Sequence, residues 1–177
     1  QDNTHALDGL LDKIETYGVH VQTHVGTAPI SNPYVWAEYA KKHPNLRFVF
    51  THIGYYEFGM STIMAVKDLD NVWVETSGQM DTRVLKTAID VLGSKRVCFG
   101  TDWPYKPVNI EISKFEELGL SEEQLEDIIE AASEVVLEAG AIDVLVADTP
   151  ALKRDAWAVR SALLEAIEAD TVLLDEC

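Results

Sequence analysis

The sequence predicts an α/β fold built on a parallel sheet, and three observations lead there. Four short apolar runs, VHVQTHV, LRFVFTHIG, NVWVETSG and KRVCFGTDWP, each read as a strand that ends near a polar residue. Those residues, His24, His52, Ser77 and Asp102, follow one another at intervals of 28, 25 and 25 positions. Helical stripes lie between them, and strands alternating with helices at this period imply βαβ units. Near-continuous apolar triplets such as FVF and VCF suit a sheet covered on both faces. A (β/α) barrel and an open doubly wound sheet share this pattern. No Gly-rich phosphate loop follows any strand, which argues against a cofactor-binding doubly wound sheet.

The elements follow in order. Leu7, Leu10, Leu11 and Ile14 recur at helical spacing over residues 6–17, and Gly18 stops that helix. The first strand then runs to His24, with Gly26 opening a loop. Asn32 and Pro33 start a helix over 33–42, since proline suits the first turn. Pro44 and Asn45 turn the chain into the second strand, which ends at His52. Phe58, Ile63, Met64 and Val66 mark a helix over 58–67. After the third strand, Asp81 caps a helix whose stripe is Val84, Leu85, Ala88, Ile89 and Leu92, closed by Gly93. The fourth strand is expected to end at Asp102. Further on, Ser121 and Gln124 form a capping-box pair ahead of Leu125, Ile128, Ile129, Ala132 and Val136, and Gly140 ends that stripe. Residues 141–147 and 171–177 read as short strands around a last helix bearing Ala156, Val159, Leu163 and Ile167.

Length and composition suit one ordinary domain: 177 residues, 47% apolar and 25% charged. The net charge is −16, and residues 111–177 hold 18 acidic but only 4 basic side chains. The acidity therefore belongs to the C-terminal helices, and it argues against nucleic-acid binding, which needs a basic surface. Apolar runs fall far short of the ~20 residues of a membrane span. Two cysteines build no disulfide framework, with Cys98 expected as a small buried hydrophobe, so a reducing cytoplasmic setting is expected. No signal-peptide pattern opens the chain, which begins at Gln1 without Met, and an upstream portion is expected.

In parallel α/β folds the reacting groups sit where strands end and loops open. His24 and His52 each follow an apolar strand, and Asp102 lies in GTDWP. Two imidazoles and a carboxylate are ligand types for zinc or manganese, and the carboxylate can also take a proton from bound water. His20 is expected to pack or face a loop, and His5 and His43 to lie at the surface.

The ordered set HVG, PNLRFVFTHIG, NVWVETSG and LGSKRVCFGTDWP, over about residues 5–139, resembles the amidohydrolase-related branch of the amidohydrolase superfamily. That resemblance implies a partial (β/α)8 TIM-type barrel, about strands five to eight, over residues 1–140. Residues 141–177 are left as a strand–helix extension. It implies a metal-dependent hydrolase or decarboxylase acting on a small carboxylate or lactone-type substrate. His24, His52 and Asp102 would be metal ligands, His52 and Asp102 also catalytic, and Ser77, Trp103 and Tyr105 substrate-binding. The implied cofactor is a divalent metal, zinc first and manganese second. Three departures stand out: no His-x-His pair of the kind carried on strand one, no counterpart of the barrel's first half, and Ala-Ala-Ser at 131–133 where the family usually has Asn-Ala. A half-barrel leaves open sheet edges, so a homo-oligomer or a missing N-terminal half is expected. The alternative is a non-catalytic partial barrel acting as a scaffold or association partner.

Overall fold

A computed structural model describes residues 4–26 and 31–137 of the chain. The expected elements at 141–147, 156–167 and 171–177 lie outside the described residues. Helix α1 (Thr4–Glu15) leads to strand β1 (Val21–His24), then α2 (Pro33–Lys42), β2 (Phe48–Thr51), α3 (Tyr55–Val66), β3 (Val72–Glu75), α4 (Thr82–Leu92), β4 (Val97–Cys98), α5 (Val108–Glu116) and α6 (Glu122–Leu137). The four strands are parallel and neighbour one another in sequence order. A doubly wound sheet would reverse its order at a switch point, whereas a barrel adds each strand beside the last. The described sheet has no such reversal and follows the order of a stretch of barrel.

Local chemistry accounts for the boundaries. Asn32 caps α2 by accepting from the Tyr34 N–H at 2.9 Å, and Asp81 caps α4 by accepting from the Arg83 N–H at 2.9 Å. The capping box at α6 is reciprocal: Ser121 N donates to Gln124 Oε1 at 3.1 Å and Gln124 N donates to Ser121 Oγ at 3.2 Å. Helix α3 begins three residues earlier than expected, directly after a 3₁₀ turn at His52–Gly54. Strand β4 holds only two residues, so Asp102 lies four positions beyond it instead of closing it. Helix α5 was not anticipated; its apolar residues are too few to make a clear stripe.

Alternation along the strands sorts the side chains. Phe48, Phe50, Val72, Val74 and Val97 face outward into the main core, packed with Ile63, Val66, Leu85, Ile89 and other helical residues. Val49 and Cys98 face the other way and form a small second cluster with Ala131. Helix α6 straddles the β4 edge: Ile128 joins the main core, Ala131 the inner cluster, and the Ile128 carbonyl accepts from Phe99 N at 3.3 Å. One open-edge N–H is thus satisfied by a helix carbonyl. On β1 the inward Gln22 and His24 remain exposed. His43, expected at the surface, is instead buried at the end of α2, with Nδ1 3.3 Å from Glu15 and 3.6 Å from Asp12 of α1.

Candidate active site

The strand ends converge on one cleft of about 540 Å³, whose wall includes His24, Thr51, His52, Glu75, Ser77 and Asp102. His24 is the last residue of β1, and His52 opens the turn after β2. Their rings meet edge to face with centroids 4.9 Å apart, and the Tyr55 ring stands 4.6 Å from that of His52. The backbone that delivers them is unusual. His52 (φ 66°), Ile53 (φ 45°), Tyr55 (φ 53°) and Asp102 (φ 56°) all lie in the left-handed region. Each such residue costs of order 1–3 kcal/mol and persists only where its surroundings enforce it. Gly54 (φ 75°) completes the turn, and no side chain fits there: a Cβ would stand 2.3 Å from Thr62 Oγ1.

Beneath the histidines lies a buried carboxylate that sequence reading passed over. Glu75, at the inward end of β3, accepts from His52 N (3.2 Å) and Ser77 Oγ (2.8 Å) through Oε2, and from Ser77 N (2.5 Å) through Oε1. Ser77 in turn meets His52 Nδ1 with its carbonyl at 2.9 Å and its hydroxyl at 3.0 Å. The signal was present as a lone acid ending the apolar run VWVE, but the period-2 pattern alone does not separate a buried acid from one at the strand exit. A second buried pair props the same loop from α5. Lys114 Nζ donates to Thr76 O (2.9 Å), Gln79 O (3.1 Å) and Glu111 Oε2, while Gly78 N donates to Glu111 Oε2 at 3.2 Å.

Burial sets the electrostatics. It pushes the Glu75 carboxyl above the usual carboxylate range, against the lowering effect of its hydrogen bonds to Ser77 and His52. Although much of the His24 side chain is open to solvent, partial desolvation at the cleft wall holds it below the ordinary imidazole value, helped by His52 and opposed by the Asp102 charge. Lys114 is lowered by burial even though Glu111 pulls the other way. Tyr55 is raised by burial first and by Asp102 and Glu111 after it.

Of the candidates read from sequence, His24, His52, Ser77 and Asp102 share the cleft wall. Ser77 is buried, with its hydroxyl committed to Glu75 and His52. Trp103 and Tyr105 are 50% and 83% exposed and lie outside the lining of the cleft. The donor types suit a zinc or manganese ion, and His52 has Nδ1 anchored by Ser77, the support that metal-binding imidazoles usually have. Among the described residues, however, no group of three or more His, Cys, Asp or Glu side chains is arranged to hold a metal ion. The described residues therefore provide donors of the right chemistry without a closed coordination shell. None of the described helices is long and apolar enough to cross a membrane.

Known proteins resemble this chain in two ways. A gamma-resorcylate decarboxylase of Rhodococcus jostii is 30% identical over a 103-residue alignment covering 46% of this chain and 30% of that protein. A D-lactate dehydrogenase of Anaerostipes hadrus is 93% identical over 59 residues, 33% of this chain and 12% of that protein. Among solved structures, an uncharacterised TIM-barrel protein from Bordetella bronchiseptica superposes with a TM-score of 0.65 at 20% identity, covering 78% of this chain and 53% of its own. A zinc-bound amidohydrolase from Burkholderia multivorans gives 0.61 at 16%, covering 73% and 56%. A manganese-bound dihydroxybenzoic acid decarboxylase from Polaromonas gives 0.56 at 19%, covering 76% and 54%. The chain thus spans less than a third of the curated relatives and about half of the solved barrels. The family pattern described as amidohydrolase matches residues 1–137, most of the chain, and on that match the chain belongs to the amidohydrolase family.

Proposed function

We propose that this chain carries part of a divalent-metal active site for the hydrolysis or decarboxylation of a small carboxylate or lactone-type substrate, with zinc the first candidate metal and manganese the second. The observation that carries this reading is the pair His24 and His52, rings 4.9 Å apart at adjacent strand ends, in one cleft with Asp102. The metal-bound barrels of similar fold and the decarboxylase relative support it. A bound divalent ion supplies Lewis acidity and lowers the pKa of coordinated water. His24 and Asp102 would hold it. His52 would move a proton through Nε2 or complete the ligand set, and the remaining ligands belong to strands that the described residues do not include. Those strands would come from a longer chain or from a second copy. Elemental analysis of metal per chain, with and without His24→Ala, tests the site. Near-stoichiometric zinc or manganese that disappears in the variant supports it, and none in either protein favours the non-catalytic scaffold.

A second reading comes from the D-lactate dehydrogenase match. Its 59 residues exceed the 40 that lie beyond the family match, so the two resemblances overlap along the chain. We read this as one polypeptide carrying a half-barrel together with a segment shared with that dehydrogenase. A stretch amounting to 12% of an enzyme is not expected to bring its activity. D-lactate-dependent reduction of a dye should be absent, and turnover would instead assign function to that segment.

A further inference from the structure

We infer that Glu75 and Ser77 form a positioning relay that fixes the tautomer of His52, with the proton on Nδ1 and Nε2 left bare for the chemistry of the cleft. The inference rests on His52 being a functional residue of the proposed site, but its geometry stands by itself.

Two atoms approach His52 Nδ1, the Ser77 carbonyl oxygen at 2.9 Å and the Ser77 hydroxyl oxygen at 3.0 Å. A carbonyl only accepts, so a bare Nδ1 at that distance would set two lone pairs against each other. The hydroxyl has one proton, and it goes to Glu75 Oε2 at 2.8 Å, so the same oxygen is free to accept from Nδ1–H. Both neighbours of Nδ1 are acceptors, and the imidazole proton belongs between them. Nε2 is the ring's remaining nitrogen.

Glu75 makes this register hold. Its two oxygens take the backbone N–H of His52 and that of Ser77, so one buried carboxylate ties both loops together. The ring of His52 and the carbonyl of Ser77 hang from those two anchored positions. Gly100 on the neighbouring segment leaves the room: a Cβ there would lie 1.8 Å from Glu75 Oε1. Glu75 lies in the cleft wall, but in this reading it acts through His52, as a positioning residue.

The test is the two-bond 1H–15N correlation pattern of the His52 ring in the whole chain, recorded for the parent protein, Glu75→Gln and Ser77→Ala, each with and without added zinc. The parent is expected to show a single Nδ1-protonated tautomer. Glu75→Gln, whose amide cannot accept at both atoms, should show an averaged pattern with the amide spectrum elsewhere unchanged. Ser77→Ala, which keeps the carbonyl, should show a smaller shift the same way, and it serves as the readout if Glu75→Gln does not fold. An Nε2-protonated parent, or a His52 pattern unmoved in both variants, overturns the relay. Zinc separates this from the site proposal. A parent that keeps the Nδ1 proton while elemental analysis of the same zinc-treated sample finds no bound metal leaves the relay standing and removes the metal site. A parent that binds zinc through Nε2 while neither variant changes the ring retains the site and removes the relay.

Discussion

Gly100 and Glu75 fit together as space and occupant. A methyl group at Gly100 would stand 1.8 Å from Glu75 Oε1 and 2.5 Å from its carboxyl carbon. Glu75 has nowhere to retreat, because His52 N, Ser77 N and Ser77 Oγ all donate to it. Gly100→Ala should therefore expel the carboxylate and leave those donors unpaired. Overpacking typically costs about 1–3 kcal/mol, and each unsatisfied buried donor adds roughly 1–3 kcal/mol. Urea unfolding should show a lower midpoint for Gly100→Ala. An unchanged midpoint would mean that the loops can absorb the methyl group, and the glycine would then have no special role.

The Lys114–Glu111 pair supports the same loop from the opposite side. Both side chains are buried, 5% and 0% exposed, and together they meet Thr76 O, Gly78 N and Gln79 O. Removing one partner strands the other charge, which typically costs about 3–5 kcal/mol. Lys114→Met should show that loss in chemical denaturation. The double variant Glu111→Leu with Lys114→Met should recover part of it, though the carbonyls of Thr76 and Gln79 lose the Lys114 donor and Thr76 O keeps only the Gln79 N–H at 3.3 Å. Equal stability of the single and double variants would show that the stranded charge is not the cost.

How far the sequence carried depends on the kind of signal. Apolar strands with helices between them are visible as periodicity, so Phe48 to Thr51 and the α4 stripe of Val84, Leu85, Ala88, Ile89 and Leu92 are found where the pattern places them. Met64 also lies in the helix where the pattern places it, but it is 51% exposed, because α3 is apolar on more than its inner face and periodicity there does not tell the buried side from the open one. The site was legible where polar residues end apolar strands. Glu75 and Ser77 were harder, since their importance lies in hydrogen bonds between loops about 25 residues apart in sequence. The Glu111–Lys114 pair looks like any i, i+3 surface pair until the fold buries it.

Glu75 also predicts a direction with pH. Burial raises its folded-state pKa above the unfolded value of about 4.3. The folded chain therefore holds that proton more tightly than the unfolded chain does. The associated stability is fully present below the unfolded pKa and is lost as pH rises through the folded one. Glu75→Gln has no proton to lose at this position. The stability difference between variant and parent should move in the variant's favour as pH climbs from about 4 toward neutrality. Urea midpoints of both proteins across that range read it directly, and parallel curves would mean that the hydrogen bonds fully offset the burial of the charge.

Metal binding should separate from folding at His24 and Asp102. The His24 side chain is exposed at the open end of β1, away from both hydrophobic clusters, so His24→Ala removes a donor without opening a cavity. Asp102 needs more care, because its φ of 56° lies where most side chains are strained. Asparagine and aspartate tolerate that region best, so Asp102→Asn keeps the backbone while discarding the charge. Both variants should unfold at the parent's urea midpoint within about 0.5 kcal/mol, as expected for substitutions outside the core. Both should lose zinc affinity by at least the roughly 10–100-fold that removal of a mere supporting group costs. Zinc titration and unfolding on the same samples check the pair. If affinity is unchanged in both variants, the ion sits elsewhere or not at all, and the convergence of these residues on one cleft is a property of the barrel alone.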